Sequence, residues 1–146
     1  LDPAFHFMLD HHLWIRLAQQ GRILHVDQTW AAARYHPAAK NRAQAPEFGR
    51  DAFRILDMMA KDETFAPILA KVDRRARASV QRLNSRYLLD GGQPAAALSV
   101  WTKALLIHPP TALARMNIFV SSILNLLGLG KLREAILQRR EERYKK

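Results

Sequence analysis

Apolar positions along this chain change their period once, near residue 44. Before that point the pattern is mixed. Residues 1–9 read as a loop, and Leu13, Trp14 and Leu17 then recur at helical spacing, which predicts a helix over about Asp10–Gln20. Asp10 is placed as its N-cap, and Gly21 ends it in the manner of a C-cap. Arg22-Ile23-Leu24-His25-Val26 is a short apolar run suited to a strand. Thr29–Tyr35 reads as a second, weakened by its alanines. The polar, irregular stretch from Pro37 to Pro46 marks a domain boundary.

Beyond Pro46 the period is helical throughout. Phe48, Ala52, Phe53, Ile55, Leu56 and Met59 make one amphipathic helix. A second is expected from about Phe65 to Leu89, basic in its middle (Arg74, Arg75, Arg77 and Arg82 against Asp73) and broken by Gly91-Gly92. Gly92, Ala97, Trp101, Ala104 and Pro109 fall at the spacings of a tetratricopeptide-like hairpin, about 80–109. Small residues there let two helices approach, the indole fills the groove, and proline stops the second helix. No second copy occurs, so the expectation is a helical hairpin packed on its neighbours. Residues 111–129 form the most apolar segment. Their uninterrupted run is shorter than the ~20 residues that cross a bilayer, so a buried helix is preferred to an interfacial or membrane one. Residues 131–146 predict a basic C-terminal helix, solvated or lying on anionic lipid.

Apolar content of 49% supports a packed core. The absence of cysteine excludes a disulfide framework, thiolate metal sites and a cysteine nucleophile. A formal charge of +10 points to an acidic partner: anionic lipid, nucleic acid or a phosphorylated substrate. The chain starts at Leu1 already inside a pattern, which suggests the C-terminal piece of a longer protein.

That pattern is Leu1-Asp2-Pro3-Ala4-Phe5, then Asp10-His11-His12-Leu13-Trp14-Ile15-Arg16-Leu17-Ala18, then Gly21, then Ala33-Arg34-Tyr35-His36 followed by Lys40-Asn41. In order and spacing it resembles the closing part of the catalytic domain of family-two glycosyltransferases, which are inverting enzymes of GT-A type. The resemblance covers about the first third of the chain. It implies a nucleotide-sugar donor, a saccharide or lipid-linked acceptor, and a divalent metal (Mn²⁺ or Mg²⁺) held mainly by residues upstream. It also implies that Asp10 is the acceptor-side catalytic base, that His36 serves the metal or the donor diphosphate, and that Arg34 assists with the diphosphate. Trp14 offers a face for the acceptor sugar, or else anchors the core. Where the family carries an acidic residue before the base, this chain has Leu9.

The expected architecture is therefore mainly α. A small α/β remnant of a GT-A domain occupies residues 1–44, and an all-helical bundle occupies 45–146. No Gly-rich phosphate loop and no D-x-D word is present, so the piece alone is expected to be inactive. The implied setting is cytoplasmic, peripheral at the membrane face, in cell-envelope biogenesis. The competing reading is a non-enzymatic helical module with a basic face for an anionic partner or membrane surface. Nucleic acid ranks last, because no aromatic platform interleaves with the arginines. His6, His11 and His12 cluster in sequence without forming a zinc-ligand word.

Overall fold

The computed structural model describes residues 3–31 and 44–130. A 3₁₀ turn (Pro3–Phe5) leads into α1 (Leu9–Gln20). After the interval come α2 (Ala45–Lys61), α3 (Ala66–Asp90), α4 (Pro94–Ile107), the one-turn α5 (Pro109–Leu113) and α6 (Met116–Leu126). Each of α2 to α5 opens with proline in its first turn, where the missing N–H would have had no intrahelical acceptor. The mainly α class holds.

Small residues set the packing at the centre. Ala78 of α3, Ala97 and Ala104 of α4 and Ala112 of α5 are all fully buried. The buried Ser85 hydroxyl donates to the Ala97 carbonyl at 2.7 Å, tying α3 directly to the backbone of α4. The Trp101 indole fills the space beside them and meets the Phe119 ring of α6 at 4.8 Å. The expected hairpin turn lies at Gly91–Gln93. Gly92 takes φ +75°, and the N–H groups of Gly91 and Gln93 return to the carbonyls of Tyr87 and Leu88.

A second core holds the N-terminal segment. Phe5 and Met8 are buried with Ala52 and Ile55 of α2, and Ile15 of α1 and Val80 and Leu83 of α3 close around them. Buried Gly49 brings α2 against α3, since a Cβ at that position would overlap the Asn84 side chain.

Three expectations change. No strand occurs among the described residues, so they do not confirm the α/β remnant. Residues 22–31 run as irregular chain with Leu24 82% exposed. A strand needs a neighbouring strand to take its N–H and C=O groups, and no described residue forms a ladder with Arg22–Val26. Of the expected second strand, only Thr29–Ala31 is described, and it too is irregular. Asp10 is not the N-cap: Met8 holds that position, and its carbonyl accepts from the His12 N–H at 3.0 Å. Burial of Met8 fixes the chain just before Leu9, so the cap lies two residues earlier than capping chemistry suggested. The apolar helix over 111–129 divides at Ala114–Arg115 into α5 and α6. Only Ala112, Ile118 and Ser122 in this region are buried, and Leu113, Met116, Val120 and Leu127 are exposed. No helix among the described residues is long and apolar enough to cross a membrane. The basic segment 131–146 lies outside the described residues.

Asp51 ties the N-terminal segment to α2. It is 2% exposed, accepts from the Phe7 N–H at 2.9 Å, and meets the Arg54 guanidinium at 3.1 Å. Arg54 also donates to the Ala4 carbonyl at 3.2 Å. Asp51→Ala removes the carboxylate that binds both the half-buried Phe7 N–H and Arg54, so a loss of about 1 kcal/mol or more is expected in chemical denaturation. Limited proteolysis of the variant should cut first within residues 3–20, while α3 and α4 stay protected.

Candidate functional site

The residues singled out for chemistry lie in the first turns of α1. Once Met8 is pinned in the core, helical geometry turns Asp10, His11 and Trp14 outward and His12 and Ile15 inward. The Asp10 carboxylate is exposed to solvent. It accepts from its neighbour's N–H at 2.8 Å and pairs with the His11 ring Nδ1 at 3.0 Å. Burial raises the Asp10 carboxyl, but the hydrogen bonds from the His11 ring and N–H and the His11 charge outweigh it. The net effect holds the group below the ordinary 3.8. The helix N-terminus favours the ionised form as well.

Trp14 stands one turn on at i+4 and is 52% exposed, so it is not a core anchor. Its ring lies 5.0 Å from that of His11, and the three side chains form one outward cluster of carboxylate, imidazole and indole. His12 takes the opposite side. It stacks on Phe5 at 4.5 Å and is buried, which gives it a packing role. Arg34 and His36, assigned to the donor diphosphate and the metal, lie outside the described residues. Among the described residues no group of three His, Asp or Glu side chains could hold a metal. The divalent ion implied by the resemblance therefore finds no donor set in them.

Behind the cluster runs an aromatic column. The Phe7 ring meets Phe48 at 5.3 Å, and Phe48 stacks on Tyr87 at 4.9 Å. Burial pushes the Tyr87 phenol up; the Arg86 charge opposes this, and the negative charges of Asp10 and Asp90 add to it. The Asp10 field thus reaches the column. Phe7 also lines an open groove of about 950 Å³ between the start of α2 and the end of α3, with Glu47, Arg50, Asn84 and Gln93. A 2.8 Å ion pair joins Arg50 to Glu47.

At its C-terminal end α1 is held by Gln19, whose amide donates to Asp62 at 2.8 Å. Asp62 also accepts the N–H groups of Thr64 and Phe65 ahead of α3. Sequence reasoning missed Asp51 and Asp62. For Asp51 the signal was present, because a carboxylate at 51 falls on the apolar face marked by Phe48, Ala52 and Ile55.

A carboxyl-carbon NMR titration checks the electrostatics. Asp10 should titrate below 3.8 in the wild-type chain, and His11→Ala should return it toward that value. The sign for stability follows. A carboxyl depressed in the folded state contributes stability at neutral pH that is lost as pH falls through its folded pKa, below about 4.

Comparisons with protein families, with characterised proteins and with solved structures return no match for this chain.

Proposed function

We propose that the chain is the acceptor-side, C-terminal portion of an inverting glycosyltransferase that uses a nucleotide-sugar donor, with Asp10 as the catalytic base. One observation supports this above the others. The carboxylate that the motif order singles out is solvent-facing, held ionised, and followed one turn later by a half-exposed indole.

Transfer with inversion needs a carboxylate on the acceptor side. The acceptor hydroxyl oxygen attacks the anomeric carbon, the bond from that carbon to the nucleoside diphosphate breaks, and the hydroxyl proton passes to the Asp10 carboxylate. A base with a depressed pKa takes the proton late, when the attacking oxygen is already acidic. His11 fixes the carboxylate at 3.0 Å and leaves its second oxygen for the acceptor. The Trp14 face is the size and chemistry of surface on which a pyranose ring stacks.

Sugar-nucleotide turnover by the full reading frame that carries this chain, with Mn²⁺ or Mg²⁺ supplied, provides the test. Asp10→Asn keeps the side-chain shape and removes the base. Turnover should fall by roughly 10²- to 10⁴-fold with the circular-dichroism spectrum unchanged. Undiminished turnover would move the base elsewhere. No turnover in either protein would favour a helical interaction module.

A further inference from the structure

Outside the α1 cluster, the most unbalanced surface lies on α3 and the α5–α6 junction. From Ala66 to Leu126 the chain has eight lysines and arginines against two acids. Both acids are taken: Asp73 by Arg77 at 2.8 Å and Asp90 by Arg86 at 3.6 Å. Beyond a kink at Val72, Arg75, Ser79, Arg82 and Arg86 recur at a 4-3-4 spacing and share one face of α3. Ile68, before the kink, and Val72, at it, are both exposed.

The fold adds to this row from two other helices. Arg74 donates to the Ile107 carbonyl at 3.0 Å, so the end of α4 lies beside the first half of α3. α5 follows and packs on α3, which brings Arg115 toward Arg82. Burial, and then the charge of nearby Arg115, lower the Arg82 guanidinium. Flanking Arg115 are Leu113 and Met116, 51% and 40% exposed. Cations and bare aliphatic side chains therefore share one surface.

We infer that this surface docks on an anionic lipid bilayer, with Arg75, Arg82 and Arg115 on headgroup phosphates and Leu113 and Met116 at the acyl boundary. The inference stands apart from the transferase reading. Charge complementarity selects an anionic partner, and the aliphatics select among anions. A single-stranded nucleic acid calls for aromatic platforms, which this surface lacks, whereas Leu and Met gain by leaving water at a membrane interface.

The experiment is co-sedimentation of the 146-residue chain with phosphatidylcholine vesicles, with and without phosphatidylglycerol. Binding is expected only with the anionic lipid. Neutralising Arg75, Arg82 and Arg115 to Gln should weaken it roughly a hundredfold, at about fivefold per charge. Leu113→Ser with Met116→Ser, both at exposed positions, should weaken it about tenfold while circular dichroism stays unchanged. The inference is overturned by no binding, by equal binding to neutral vesicles, or by binding that ignores the serine pair. It is equally overturned by tighter binding to an oligonucleotide than to vesicles, or by a dimer that the serine pair dissolves.

Discussion

The 2.7 Å hydrogen bond from Ser85 to the Ala97 carbonyl sets how close α3 and α4 come. A side-chain hydroxyl on one helix touches the backbone of the next only if nothing larger stands between them. Ala78, Ala97 and Ala104, all without exposed surface, supply that clearance. The remaining arrangement follows from the close approach. Trp101 has room to lie between α4 and α6, and α5, started by Pro109, turns back onto α3. A larger side chain at 97 or 104 would separate the two helices and remove the seat of α6, a cost of the overpacking kind.

The α1 cluster depends on a different anchor. α1 adds little area of its own to the bundle, and it is held at discrete points: Phe5 and Met8 in the second core, Phe7 N–H on Asp51, and Gln19 on Asp62. Fixing both ends of a twelve-residue helix fixes its rotation, and rotation decides which side chains meet water. With Met8, His12 and Ile15 inward, Asp10 and Trp14 can only face outward. The chemistry proposed for Asp10 is thus a consequence of where Met8 is buried.

Much of the helical half was legible because its signals are local. The Phe48–Met59 stripe, the Gly91-Gly92 break and the small–large–small series Ala97, Trp101, Ala104 each act within a turn or two of chain. What failed depended on partners far away. A short apolar run such as Ile23-Leu24 is a strand only beside another strand, and periodicity along one segment cannot report whether one is there. The 111–129 segment looked buried on composition, yet α4 can cover only one side of it, leaving Leu113, Met116 and Val120 in solvent. Of the candidate site, the pairing of Asp10 with Trp14 is readable from i, i+4 spacing. The Asp51 anchor joins residues 44 positions apart, and only tertiary structure brings them together.

The exposed aliphatics and the α3 arginines bear on one another. Scattered exposed apolar residues are ordinary on a protein surface and need no explanation. Leu113 and Met116 differ because they bracket Arg115, which the fold carries toward Arg82. A buried protein–protein contact at this place would have to desolvate several guanidinium groups and supply acids for them from the partner, since Asp73 and Asp90 are already engaged. A headgroup layer imposes no such cost. It keeps the guanidinium groups hydrated and paired with phosphate while the aliphatic side chains reach a few ångströms deeper. Arginines beside exposed aliphatic side chains suit a lipid surface, which supplies both phosphates and an apolar boundary.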